Sequence, residues 1–385
     1  MRVLFFNEGN LGAHVMGQGQ LEGALRTGLD ASAGVEARFA GMAPMGRLAA
    51  ALATRPLEPL ARAGLDPHTL RWHAVQSLRA RAQLTRELRS WPADAALVHS
   101  HSVALALGAP MRSVPVALSL DTTVADWSTM PAWRAEQRHA AALLAPSVAL
   151  ERRALARAAL VLAWTAWARA AAARRAPAAH VVEHHPGIDL ERYRPAERRP
   201  RSRPRVLFVG GRFREKGGED LLAALGGQLG ESVELDLVTP AEVAERPGVR
   251  VHRLGPSDPR LLDLQQQADV FCLPSYGDAA PWAVLEAMAC GTPVLASRVG
   301  GIPDMLGQGE AGVLVACGRR EELARALRAL LEDAPLRAAL ATAARARCER
   351  DYDARAQFSK LIGMLEQARA AFTPAPPAAA AGARR

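Results

Sequence analysis

The sequence predicts an α/β protein of two doubly wound, Rossmann-like domains that face each other across a cleft. Short β-rich runs alternate with longer helix-like segments, a spacing that builds parallel sheets from βαβ units. The alternation runs twice, on either side of 196-AERRPRSRPR-205, a Pro/Arg-rich stretch with the composition of a linker. The chain has 385 residues, 49% of them hydrophobic and 23% charged, enough to bury two cores.

In the first half the strand candidates are Val3–Phe6, Val35–Phe39, Ala96–Ser100, Pro115–Leu120, Ala159–Trp164 and His180–His185. Between them lie Ala/Leu/Arg stretches of helical period such as 69-TLRWHAVQSLRARAQLTRELRS-90. The second half repeats the pattern with Arg205–Val209, Val233–Val238, Val249–Arg253, Ala268–Pro274, Val294–Ala296 and Gly312–Val315. These runs place a first domain over 1–197, a linker over 198–204 and a second domain over 205–354. A further helical pattern covers 355–372, and the low-complexity end, 373–385, is expected to be disordered. Folds of this kind bind ligands at the carboxyl ends of their strands, so the cleft between the domains is where chemistry is expected.

Composition narrows the function. No run of 18 or more uncharged apolar residues exists, so no membrane-spanning helix is expected. The opening run MRVLFF stops at Asn7-Glu8 without a small-residue cleavage site and reads as a first strand. Cys272, Cys290, Cys317 and Cys348 show neither CxxC pairing nor histidines at metal-ligand spacing, which suggests reduced thiols and a cytoplasmic protein. The net charge of +9 suits a polyanion, but no zinc-ligand set or RNA-binding aromatic motif accompanies it, so nucleic acid is not the expected partner. A phosphorylated substrate or an anionic membrane surface fits as well, the latter through Arg71, Arg79, Arg81, Arg86 and Arg89, then Arg134, Arg138, Arg152, Arg153 and Arg157. The competing reading of those arginines is a solvated helix face in an arginine-biased chain.

Two stretches carry chemistry. In 205-RVLFVGGRFREKGGEDLLAAL-225 a buried strand runs into Gly210-Gly211, and Gly217-Gly218 leads into a helix read as Leu221–Leu225. Glycines let backbone amides approach an anion, and a helix N-terminus adds its positive dipole end. Arg212 and Lys216 bring two cations to that mouth, and Lys216 is one of only two lysines among 48 basic residues. The loop is neither a Walker A nor a GxGxxG, and an exposed turn with chance basic residues is the alternative.

The second stretch is 268-ADVFCLPSYGDAAPWAVLEAMACGTPVLASRVGGIPDML-306. A strand ends at Pro274-Ser275, a loop carries Asp278, Pro281 suits the first turn of a helix, and Gly291 suits its C′ position. Asp278 and Glu286 are expected at the carboxyl edge of one sheet, placed to accept hydrogen bonds from sugar or ribose hydroxyls. An N-cap role for Asp278 and a solvated helix face for Glu286 are the alternatives.

Together these residues resemble the donor-binding domain of glycosyltransferase family 4: Gly-Gly-Arg and Lys-Gly after a strand, then Pro-Ser, Asp278, Glu286-Ala-Met-Ala-Cys-Gly-Thr-Pro-Val and Gly300-Gly301-Ile-Pro-Asp. Pro186-Gly187-Ile188-Asp189 resembles the family's segment closing the first domain, and 114-VPVALSLDTT-123 resembles a first-domain strand and loop in one subgroup. The resemblance implies the GT-B architecture and a retaining, metal-independent glycosyltransferase that uses a nucleotide sugar as co-substrate, with no bound cofactor. It also implies that Gly211, Arg212 and Lys216 hold the donor diphosphate, Glu286 the nucleotide ribose, and Asp278 the donor sugar. Gly300 and Gly301 would line the donor edge, and the helix around Phe358–Leu365 would pack back on the first domain. The implied acceptor is a hydroxyl of a glycan or glycolipid precursor, and the arginine-rich helices suggest a lipid-linked acceptor met either in the cytoplasm or at the inner face of a membrane.

Two departures stand out. The family's usual glutamate is Asp278 here, one methylene shorter. The histidine that many relatives carry near the fourth strand is missing from Leu120-Asp121-Thr122. Candidates for the first-domain side of the cleft are therefore Gly12, His14 and Asp121. His99 and His101, read as alternating on one strand, are assigned a structural role, and no metal site is expected. Competing readings are a GT-B-like epimerase or phosphorylase and a non-catalytic nucleotide-binding protein.

Overall fold

The computed structural model describes residues 1–9, 15–62, 65–131, 140–244 and 246–374. Two six-stranded parallel sheets organise them. The first comprises β1 (Arg2–Asn7), β2 (Glu36–Gly41), β3 (Ala95–His99), β4 (Val116–Leu120), β5 (Leu160–Ala163) and β6 (Val181–Glu183), in the order β2-β1-β3-β4-β5-β6. The second comprises β7 (Arg205–Val209), β8 (Glu234–Val238), β9 (Val249–His252), β10 (Val270–Leu273), β11 (Val294–Ser297) and β12 (Val313–Val315), in the order β12-β11-β10-β7-β8-β9. Every strand run expected from sequence forms, its ends shifted by at most two residues.

Burial on both faces explains why these strands read as unbroken apolar runs. In β1, Val3, Leu4, Phe5 and Phe6 are all fully buried, yet successive side chains enter different cores. Leu4 and Phe6 join Ala80, Leu84 and Val98 on one face of the sheet. Val3 and Phe5 join Leu21, Leu25, Phe358, Leu361 and Leu365 on the other. That second face is covered by helix Val15–Asp30 and by the last helix, Ala354–Ala371, whose first turn is capped by Asp353 accepting from the amides of Arg355 and Ala356.

The chain enters and leaves the second domain side by side. Ile188 N donates to Tyr352 O at 2.7 Å and Ala354 N donates to Ile188 O at 3.1 Å. The Pro/Arg-rich stretch lies along the second domain: Arg198 donates to Gly291 O at 3.1 Å, and Arg201 to Gln267 O at 2.6 Å. Residues 375–385 of the expected disordered end lie outside the described residues. Among the described residues no helix is long and apolar enough to cross a membrane.

In each sheet the strand order reverses at one point, between β1 and β3 in the first and between β7 and β10 in the second. The crevice outside the carboxyl ends at such a reversal is the natural ligand site of a doubly wound sheet. The loops after β7 and β10 carry Arg212, Lys216 and Asp278. Glu8 and Ser100 directly follow β1 and β3, and Ser102 lies in the short helix His101–Ala104 after β3.

Candidate active site

The two loops of the second domain are joined before any ligand arrives. Tyr276 N donates to Glu215 O at 2.9 Å, and the Tyr276 hydroxyl donates to Asp220 at 2.5 Å. Asp220 is buried in the first turn of helix Gly218–Leu225 and also accepts from Arg320. Gly217 makes the approach possible. Its φ of +77° is left-handed, and a Cβ there would lie 2.1 Å from Pro274 O.

This framework brings Lys216 Nζ to 2.5 Å from Asp278 Oδ2, with side-chain exposures of 24% and 11%. Arg212 stands at the start of the same turn, its carbonyl accepting from Lys216 N at 2.9 Å. The helix begins three residues earlier than the sequence suggested. The amides of Gly217 and Gly218 are taken by Arg214 O and Phe213 O, so these two glycines have no free N–H to offer an anion. A side chain at Gly211 would meet open space, which leaves that residue next to the crevice without a steric reason to be glycine.

Gly300 and Gly301 press against the backbone that holds Asp278. A Cβ at Gly300, whose φ is +55°, would lie 1.9 Å from Asp278 O, and one at Gly301 would lie 2.4 Å from Ala279 O. Gly301 also faces Thr165 of the first domain. Nearby, Trp167 N donates to Asp304 at 2.6 Å, and the Trp164 and Trp282 rings meet edge-on at 5.8 Å. The two domains are therefore in direct contact at this edge.

Glu286 is 4% exposed, which rules out the solvated helix face. Its helix, Trp282–Ala289, starts one residue after Pro281, which is the N-cap, and Gly291 follows it with the left-handed φ of +65° expected at C′. Glu286 Oε1 accepts from Gln20 of helix Val15–Asp30 at 2.6 Å and from the Tyr193 hydroxyl at 3.3 Å. Burial pushes its carboxyl up to about 7, opposed by the hydrogen bond from Tyr193.

On the first-domain side, Glu8 Oε2 accepts from Ser100 Oγ at 2.9 Å and Ser102 Oγ at 2.8 Å. Asp121, just past the end of β4, has its carboxyl pushed up to about 6 by burial and by the charges of Asp278 and Glu8.

The family described as "Glycosyl transferases group 1" matches residues 203–333. Those residues belong to the group 1 glycosyl transferases. The D-inositol 3-phosphate glycosyltransferase of Mycolicibacterium paratuberculosis is 36% identical over 185 residues, 42% of each chain. Its counterpart in Streptomyces bingchenggensis is 33% identical over 196 residues, 43% of each. The chain thus spans about two fifths of the length of these curated relatives. Among solved structures, sucrose-phosphate synthase from Thermosynechococcus elongatus superimposes with a TM-score of 0.74 at 19% identity, covering 96% of this chain and 100% of that one. Anabaena HepE, solved in complex with UDP-glucose, gives 0.65 at 18% identity, covering 95% and 100%. The architecture is GT-B.

Arg212, Lys216, Asp278, Glu286, Gly300 and Gly301 all lie inside the group 1 segment; Asp121 and Glu8 lie outside it. Gly12 and His14 lie outside the described residues. His99 ends β3, and His101 begins the short helix His101–Ala104, so the two do not alternate on one strand. The strand stops because Ser100, still extended, is the N-cap of that helix. His99 is buried, stacked on Trp164 at 4.8 Å and bonded through Nδ1 to Ser119 O, a structural position. Among the described residues no three His, Cys, Asp or Glu side chains converge as metal ligands. The basic helices are also less free than their charge suggested. Arg71 donates to Leu52 O, Arg55 O and Asp66, and Arg79 donates to Ala43 O and Pro44 O. Arg134 and Arg138 lie outside the described residues.

The buried ionisable groups around the group 1 domain and its partner predict a stability maximum near pH 6. Burial raises Glu286 to about 7 and Glu151 to about 8, from an ordinary 4.5, and Asp121 to about 6 from 3.8. The stability tied to these groups is full below their ordinary values and is lost as pH rises through the raised ones. Burial lowers His73, His99 and His184 from 6.5 to about 4, so their contribution is present above 6.5 and is lost as pH falls toward 4. Denaturant midpoints measured from pH 5 to 9 are expected to peak near 6, and Glu151→Gln is expected to flatten the alkaline limb. A midpoint that rises steadily to pH 9 would contradict this.

Proposed function

We propose that the protein is a retaining glycosyltransferase that moves a glycosyl group from a nucleotide sugar to an acceptor hydroxyl without a bound metal. The observation that carries this reading is the Lys216–Asp278 pair, set at the strand-order reversal of a group 1 domain with Arg212 on the same turn. Donor binding exchanges the partner of Lys216 from a carboxylate to a diphosphate, which releases Asp278 to accept a hydrogen bond from a donor-sugar hydroxyl. Lys216 and Arg212 then take up the charge that grows on the diphosphate as the anomeric carbon–oxygen bond breaks. The acceptor oxygen bonds to the anomeric carbon from the face the leaving group vacates, and its proton passes to a phosphate oxygen of that group. Glu286 serves the ribose, whose hydroxyl takes the place of the Gln20 amide at Oε1.

A thermal-shift panel of nucleotide sugars tests the reading, because a ligand that binds only the folded state raises its melting temperature. At least one sugar nucleotide is expected to stabilise the protein with and without EDTA, and to yield a product of unchanged anomeric configuration by NMR. No stabilisation by any member, or an inverted product, contradicts it.

A further inference from the structure

A second group of polar side chains sits opposite the Lys216–Asp278 pair, on the first domain and outside the group 1 segment. It lies just past the carboxyl ends of β1, β3 and β4, three adjacent strands that flank the strand-order reversal of their sheet. Asn7 is paired with His99, and His99 with Ser119, so Glu8, Ser100 and Asp121 emerge at one edge. Glu8 is 5% exposed. Ser100 and Ser102 both donate to its Oε2, and their hydroxyl oxygens lie 2.9 Å apart. Its other oxygen, Oε1, is buried and has no hydrogen-bond donor among the described residues. A buried carboxylate oxygen without a donor is costly, so this atom calls for a proton or a ligand hydroxyl. Asp121 follows β4 at the same edge, and the charges of Asp278 and Glu8 add to burial in raising its carboxyl.

We propose that Glu8 and Asp121 form the acceptor subsite and select an uncharged polyhydroxyl acceptor over a phosphorylated one. The inference rests on the glycosyl-transfer reading and deepens it. Ionised carboxylates only accept hydrogen bonds, which suits sugar or polyol hydroxyls. They repel a phosphate, and with the donor diphosphate on Lys216 and Arg212, the ionisable groups named at this edge among the described residues are Glu8, Asp121 and Asp278. Like charges brought together are a common means of rejecting a wrong partner. This sets the chain apart from the D-inositol 3-phosphate glycosyltransferases that it resembles, whose name carries a phosphorylated inositol.

The test uses the full chain and the nucleotide sugar that stabilises it most, with two acceptor pairs: inositol against inositol 3-phosphate, and glucose against glucose 6-phosphate. The expected kcat/KM for the uncharged member of a pair is about ten-fold or more above its phosphorylated counterpart. Glu8→Gln and Asp121→Asn are each expected to lower kcat/KM for the uncharged acceptor about ten-fold and to narrow that preference, with donor affinity by calorimetry within about two-fold of wild type. Asp121 is less deeply buried than Glu8, so Asp121→Asn keeps the test open if Glu8→Gln fails to fold. Faster transfer to the phosphorylated acceptors overturns the inference and leaves the glycosyl-transfer reading intact. So does an unchanged preference in folded, donor-binding variants. A protein that binds no nucleotide sugar overturns both.

Discussion

Lys216→Ala is expected to lower glycosyl transfer by about two to three orders of magnitude, the range found when one preorganised donor to a developing anion is removed. The expectation rests on geometry. Lys216 lies on a turn whose backbone is tied to the next loop through Tyr276 and Glu215, so its ammonium is held at the edge to which the proposed reading assigns the diphosphate. The change also leaves Asp278, only 11% exposed at its side chain, without the ammonium it meets at 2.5 Å. Affinity for the nucleotide sugar is expected to fall together with the rate. Lys216→Arg keeps the charge but brings a broad planar fork to a site shaped around a compact ammonium, so rescue is expected to be partial. The readouts are initial rates and calorimetric donor affinity, with circular dichroism confirming the fold. A folded Lys216→Ala protein with near-wild-type rates would remove the phosphate role.

Phe358→Ala is expected to cost about 3 to 5 kcal/mol of stability, the usual range for truncating a fully buried phenylalanine. Phe358 is 2% exposed and belongs to the core formed by Val3, Phe5, Leu21 and Leu25 of the first domain, although it is separated from them by the whole second domain in sequence. Its ring lies 6.1 Å from that of Phe5. The surroundings are poorly able to close over the gap, because the opposing helix already meets it at Gly28, where a Cβ would lie 2.2 Å from the Phe358 Cβ. Urea unfolding followed by tryptophan fluorescence checks the value. A loss below about 1 kcal/mol, ordinary for a substitution at no special site, would show that the last helix adds little to the first domain.

The strands were legible because of where they lie. A parallel strand with helices on both faces must be apolar at nearly every position, so Val3–Phe6 and Val270–Leu273 announce themselves without knowledge of their neighbours. The second-domain site was legible for a related reason. Its glycines, cations and carboxylate fall within two short loops, and Gly217 and Gly300 occupy left-handed backbone that few other residues adopt. The helix start at Gly218 was placed late because glycine reads as a breaker, whereas here it begins the helix behind a left-handed Gly217.

Other groups carry no local signal. Glu8 passes for the end of a strand, and it becomes part of a site only because the sheet order sets β3 beside β1 and brings Ser100 and Ser102 to its carboxylate. Gln20 and Tyr193 meet Glu286 from 266 and 93 residues away. Nothing in the sequence around Arg71 and Arg79 shows that folded carbonyls accept from them either.

The amino-acid sequence alone determined the strands of two doubly wound sheets and the short loops that carry Arg212, Lys216 and Asp278, because periodicity and turn chemistry act over a few residues. Only the tertiary structure decided that Glu286 is buried against Gln20 and that Ser100 and Ser102 donate to the Glu8 carboxylate. Those outcomes depend on strand order and domain contact, where side chains far apart in sequence settle one another's burial, hydrogen bonding and charge.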